Sequence, residues 1–217
     1  MRYSKYKGDD RVIKVGLLDY KVGNLRSLYN AFRKVGTDCR IINSNKDVKD
    51  VDLIVLPGVG AFGGAVENIS PYLDTIFNSL SEGTFLFGVC LGLQLLFERS
   101  EESPYTDGLK IFNGDVVKFS SNIKIPLIGW LQIEKIKEDS ELLEDIKTGD
   151  YFYFVHSYYA IPKDKSIIAA VGDYNVKFPA VIEHKNIIAT QFHPEKSSKN
   201  GLKLLSNLIK ILKNGDE

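Results

Sequence analysis

The sequence predicts an α/β fold in a single domain, with a mixed, mostly parallel central sheet and helices on both faces. Three observations carry this. Predominantly apolar runs of strand length at 12–18, 51–56 and 84–89 lack the polar alternation of a half-exposed strand, as expected for strands covered on both sides. Helix-periodic segments separate them, the arrangement that builds βαβ crossovers. The second half then turns to short strand-like runs joined by turns, so part of the sheet is antiparallel.

In order along the chain, residues 1–11 are polar and read as an extension ahead of a domain at 12–213. The first strand, 12–18, leads to Asn24, which is expected to cap a helix whose apolar positions are Leu25, Leu28, Tyr29, Phe32 and Val35, with Gly36 as its stop. A short strand at 39–42 contains Cys39. The strand at 51–56 ends in Pro57-Gly58-Val59-Gly60, and a helix after Ala61 is followed by a second that begins at Ser70-Pro71 with proline in its first turn and stops at Gly83. The strand at 84–89 comes next.

The later strands are expected at 116–119, 128–133, 151–155, 167–171, 180–184 and 187–192, with a short helix at 142–147 and a hairpin turn at His184-Lys185-Asn186. A final helix at 199–213 places Leu202, Leu205, Ile209 and Leu212 on one face, and Gly215 closes it.

The 217 residues carry 28 basic and 28 acidic side chains, so no net charge draws the chain to nucleic acid or an anionic membrane. Two distant cysteines make no disulfide framework and suit a reducing cytosol. No apolar run approaches the roughly 20 residues of a membrane span. A cytoplasmic protein is expected, with no metal and no cofactor.

The chemistry centres on Gly88-Val89-Cys90-Leu91-Gly92, where an apolar strand stops and a helix begins. Flanking glycines suit a sharp strand-to-helix turn that presents a nucleophile, because side chains there would clash and positive φ is cheap only for glycine. The thiol is expected to stand exposed at the head of the helix, with Gln94 one turn further on the same face. A base is needed to activate it. His193 follows a strand and precedes Pro194, a fixed position, and Glu195 can hold its imidazole in one tautomer as the third member of a triad does. His156 also follows a strand and is placed to line the same pocket, whereas His184 is expected in solvent. The Pro57–60 loop lacks the Lys-Ser/Thr of a phosphate loop and the third glycine of a dinucleotide loop, so its backbone N–H groups are read as an oxyanion hole beside Cys90.

Together, Gly88-Val89-Cys90-Leu91-Gly92-Leu93-Gln94, Pro57-Gly58-Val59-Gly60-Ala61-Phe62, Phe154-Val155-His156-Ser157-Tyr158-Tyr159 and Gln191-Phe192-His193-Pro194-Glu195-Lys196-Ser197 resemble the class I, triad-type glutamine amidotransferases. Within them the likeness is to the glutaminase subunits of imidazole glycerol phosphate synthases. The resemblance implies the fold of that family and a catalytic triad of Cys90, His193 and Glu195. It implies an oxyanion hole at Gly58 and Val59, and L-glutamine contacts at Gly60, Gln94, His156, Ser157 and Tyr158. It further implies a heterodimer with a (β/α)8-barrel cyclase subunit, docked at Trp130, Tyr153 and Lys196, to which ammonia passes during histidine biosynthesis. Two other readings stay open from the sequence: a paralogue that supplies ammonia for amino-sugar synthesis, and a non-catalytic flavodoxin-like binding module.

Overall fold

Parallel pairing organises the first half of the chain, as the apolar runs require. A computed structural model describes residues 11–214. The expected extension therefore lies outside the described residues except for Arg11, which pairs with Asp52, and Gly215 lies outside them too.

Strand β1 (Lys14–Leu18) leads into helix α1 (Leu25–Lys34), then β2 (Asp38–Ile42), a short α2 (Asn45–Val48), β3 (Leu53–Leu56), α3 (Phe62–Ile69), a 3-10 turn at Ser70–Tyr72, α4 (Leu73–Ser81) and β4 (Phe85–Val89). After β4 come α5 (Leu91–Leu95), β5 (Arg99–Ser100), β6 (Gly114–Lys118), β7 (Leu127–Lys135), β8 (Tyr151–His156), β9 (Tyr158–Pro162), β10 (Ile168–Asp173), β11 (Lys177–His184), β12 (Ile187–Thr190) and α6 (Ser198–Asn214).

Among the described residues the strands form a sheet of nine in the order β2-β1-β3-β4-β12-β11-β10-β7-β8 and a sheet of three, β5-β6-β9. In the large sheet β2, β1, β3, β4 and β12 run parallel, and pairing from β12 onward through β11, β10, β7 and β8 is antiparallel. This is the expected mixed sheet. Its two faces carry separate apolar layers: α1 and α6 pack Leu28, Phe32, Leu204, Leu205 and Leu208 on one side, while Val48, Phe62, Ile69 and Ile76 cover the other. The β4–β12 contact matters most, since it sets the C-terminal ends of two parallel strands side by side, with Thr190 paired to Val89.

The structure differs from expectation in several places. Residues 142–147 form turns and no helix. Leu142, Leu143 and Ile146 are buried as a helical face would be, but Asp145 has left-handed φ, and Asn207 of α6 donates its side-chain amide to the carbonyls of Leu142 and Glu144. Those carbonyls are satisfied from outside, so no helical ladder is needed. The strand expected at 151–155 is β8, but a strand not expected follows it: after Ser157 the chain leaves the large sheet, and β9 pairs with β6 in the small one. Ser70-Pro71 opens a 3-10 turn ahead of α4. Finally, Asn24 does precede α1 but does not cap it with its side chain. His184 ends β11 and is exposed, as expected.

Helix α6 bears directly on the His193 turn. A β-carbon on Gly201 would lie 1.8 Å from the Pro194 carbonyl oxygen. Gly201→Ala is expected to push helix and turn apart at a cost of about 2 kcal/mol, lowering the thermal midpoint by roughly 4–8 °C. Calorimetry checks this, and an unchanged midpoint would show that the close approach is not needed for stability.

Candidate active site

The site starts from a strained backbone. Cys90, between β4 and α5, has φ 53 and ψ −101, a conformation that a residue with a β-carbon adopts only when its surroundings enforce it. They do so from three directions. The Cys90 N–H donates to the Thr190 carbonyl at 2.7 Å, tying the turn to the end of β12. A β-carbon on Gly88 would lie 2.8 Å from the Gly92 carbonyl, and one on Gly92 would lie 2.0 Å from the Leu56 oxygen. The glycines are therefore required for close approach, not for positive φ, which falls on the cysteine itself. The thiol is not exposed as expected: Cys90 is 5% accessible and lies within a cleft.

That cleft, of about 240 Å³, is lined by Gly58, Val59, Gly60, Cys90, Gln94, His156, Ser157 and Tyr158 from the sequence-predicted set. Leu91, Glu102, Pro126 and Val155 complete the lining. The Pro57–60 loop lies against the elbow so closely that a β-carbon on Gly58 would meet the Leu91 β-carbon at 2.6 Å. It is anchored from the turn after β1, where the buried Tyr20 hydroxyl donates to the Pro57 carbonyl and Gly23 N–H donates to the Val59 carbonyl at 3.2 Å. Gln94 donates its amide to the Tyr158 carbonyl at 2.8 Å and to Gln191 Oε1 at 3.3 Å. Gln191 in turn directs its own amide at the Cys90 sulfur, 3.6 Å away.

His193 and Glu195 sit behind Cys90, with both side chains fully buried. His193 Nδ1 and Glu195 Oε1 are 2.8 Å apart. Burial by itself disfavours the imidazolium, but the neighbouring Cys90, together with Glu195, outweighs it and lifts His193 from 6.5 to about 10. Nε2 has no partner at normal hydrogen-bond geometry, and Cys90 raises the imidazole chiefly through charge at close range. The backbone of β8 backs the pair: His193 N–H donates to the Tyr153 carbonyl at 2.9 Å, and the Val155 carbonyl faces the Cys90 sulfur at 3.7 Å. Such an arrangement suits nucleophilic attack by a thiolate with an imidazolium able to return the proton.

Trp130, Tyr153 and Lys196 lie outside the cleft. Trp130 is half exposed and meets the Tyr153 ring edge-on at 6.0 Å, and Lys196 Nζ lies 5.8 Å over that ring. Sequence reasoning missed Glu102, since Glu101-Glu102-Ser103 looks like an ordinary solvated acidic stretch. In the structure its Oε2 accepts from Phe62 N–H at 2.8 Å, holding the start of α3 just beyond the glycine loop. Cys39, the other cysteine, is a buried free thiol remote from this chemistry and is pushed up to about 12 by burial. No group of three or more His, Cys, Asp or Glu among the described residues is placed to hold a metal, and no described helix is long and apolar enough to cross a membrane.

The class-I glutamine amidotransferase family profile matches residues 16–211. The chain belongs to that family. It is 46% identical over 199 residues to the imidazole glycerol phosphate synthase subunit HisH of Pyrococcus furiosus, covering 91% of this chain and 99% of the relative. To the subunit HisH of Methanocaldococcus jannaschii it is 44% identical over 198 residues, 91% and 100% of the two chains. Among solved structures it shares its fold with PurLQS from Thermotoga maritima, at a TM-score of 0.72 and 17% identity over 93% and 100% of the chains.

His156 provides a pH test of the site's burial. Its Nδ1 lies 2.9 Å from the Tyr158 carbonyl; desolvation nevertheless dominates, and with the nearby His193 it brings the group from 6.5 down to about 4. Between pH 6.5 and about 4 the unfolded chain binds a proton that the folded chain refuses, so stability falls as pH falls through that window. Above 6.5 neither state holds this proton. His193 opposes this slope around pH 6.5, where the unfolded chain takes up a proton that the folded chain already holds, and adds nothing below about pH 5.5, where it is protonated in both states. His156→Gln is expected to flatten the fall in urea-unfolding free energy between pH 5.5 and pH 4.5, below the range in which His193 contributes, and an equally steep slope in the variant would refute the assignment.

Proposed function

We propose that the chain is the glutaminase subunit of an imidazole glycerol phosphate synthase, hydrolysing L-glutamine to glutamate and ammonia. The observation that carries this reading is the Cys90 elbow in front of the buried His193–Glu195 pair, at the floor of a cleft bordered by a glycine loop. The relatives at 40–46% identity support the choice of synthase.

Cys90 attacks the side-chain amide carbon of glutamine. Backbone N–H groups at Gly58 and Val59 stabilise the oxyanion, and His193 protonates the departing ammonia. Water, activated by His193, then cleaves the γ-glutamyl thioester, releasing glutamate and restoring the thiol. Glu195 orients the imidazole. Gly60, Gln94, His156, Ser157 and Tyr158 contact the substrate, and Glu102 supplies the negative charge that the α-ammonium group needs. Residues 12–213 form the catalytic domain, working in the cytoplasm.

The ammonia passes to a (β/α)8-barrel cyclase subunit in a heterodimer, docked on the face that carries Trp130, Tyr153 and Lys196. Exposed Ile128, Trp130 and Tyr151 on adjacent strands give that face an apolar character. The Tyr153 backbone links it to the catalytic turn, through Tyr153 O to His193 N–H and Tyr153 N–H to Ser197 Oγ.

Cys90→Ala is expected to abolish glutamine-dependent turnover of the reconstituted synthase while turnover with ammonium salts persists. Residual glutaminase above about one part in a thousand would exclude Cys90 as nucleophile. Trp130→Ala is expected to weaken barrel binding by about tenfold or more, the scale of an aromatic anchor, and titration calorimetry with the barrel measures it. Binding as tight as the parent's would move the interface elsewhere.

A further inference from the structure

The turn between β1 and α1 contains an asparagine whose side chain does something unusual. Asn24 directly precedes α1, where an asparagine ordinarily turns its oxygen onto the free N–H groups of the first turn. Here it does not: its backbone is left-handed, φ 79 and ψ 8, and no side-chain cap forms. Its amide nitrogen instead donates to Glu195 Oε1, a residue 171 positions away in sequence. The same oxygen faces His193 Nδ1, while Oε2 is buried and has no partner.

We infer that Asn24 is a positioning residue for the triad, acting through Glu195; this rests on the glutaminase reading above. A carboxylate sealed from water is costly to keep ionised and is free to rotate about its terminal torsion unless several donors hold it. His193 supplies one donor, and that bond alone leaves the carboxyl plane undefined. Asn24 supplies a second that carries no charge, cannot titrate and therefore stabilises the anion without competing for the imidazole proton. Only an amide does this here. Lysine or arginine would form its own ion pair with Glu195 and weaken the field at His193, and aspartate would set a second negative charge against it. The αL backbone explains the residue type as well, since asparagine tolerates it where most side chains do not.

The same turn anchors the glycine loop through Tyr20 and Gly23, so loss of Asn24 has two conceivable routes to the chemistry. A double-mutant cycle separates them. Asn24→Gly keeps the left-handed backbone unstrained and removes only the amide. It is expected to lower kcat for glutamine about tenfold, the scale of a hydrogen bond to a charged group, with KM changed less than twofold. In a Glu195→Ala background the same change is expected to cost less than twofold, because no side-chain acceptor is left for the amide. Asn24→Asp is expected to be worse than Asn24→Gly.

Equal losses in both backgrounds would assign Asn24 to the glycine loop and overturn the inference, as would no loss at all. A parent that hydrolyses no glutamine with or without a barrel subunit would instead defeat the functional reading. In that event the Nδ1 proton of isotopically labelled His193 still reports on Asn24: its downfield resonance must shift in Asn24→Gly, and an unshifted resonance would overturn the positioning role independently of activity.

Discussion

Backbone pressed against backbone is the constraint on which the site depends. Residues 88–92 cross the end of β3 so closely that Gly92 touches the Leu56 carbonyl, and the loop that follows β3 closes over Leu91 at Gly58. No side chain fits between these segments. The elbow is thereby forced into its tight path, and the strain it stores falls on Cys90, whose sulfur is directed into the cleft. A thiol on a position this rigid has little freedom left to lose on attack, which is part of what orientation contributes where such a group is the nucleophile.

The second element is electrostatic. A histidine and a glutamate are both removed from water, which either would resist alone; each satisfies the other across 2.8 Å, with Cys90 beside the imidazole. The protein supports this group from neighbouring elements. Strand β8 hydrogen-bonds the His193 backbone, α6 packs on Pro194 through Gly201, and Ser197 Oγ donates back to the His193 carbonyl at 2.6 Å. His156, one strand end away, is brought down by the same burial, so the cleft wall and the buried pair behind it carry imidazoles of opposite character.

Much of this was legible in the residues. The parallel half of the sheet followed from apolar runs with no alternation, the elbow from G-x-C-x-G, and the place of His193 behind it from a histidine locked between a strand and a proline. The failures share a cause. Residues 142–147 have a helix-like apolar pattern, yet Asn207 from a distant helix satisfies their carbonyls. Ser157 gave no sign of a change of sheet, because which partner strand β9 meets is not written in its own side chains.

The sequence by itself determined most of the elements and the positions of the proposed nucleophile and base, because these depend on local periodicity, turn chemistry and glycine at fixed offsets. Tertiary structure alone decided that Glu102 enters the cleft, that Cys90 carries the positive φ, and that Asn24 abandons its helix to hold Glu195. Each of those is a contact between segments far apart in the chain. A short polar side chain serves equally well as a helix cap, a surface group or a buried hydrogen-bond donor, and only the packing around it selects which.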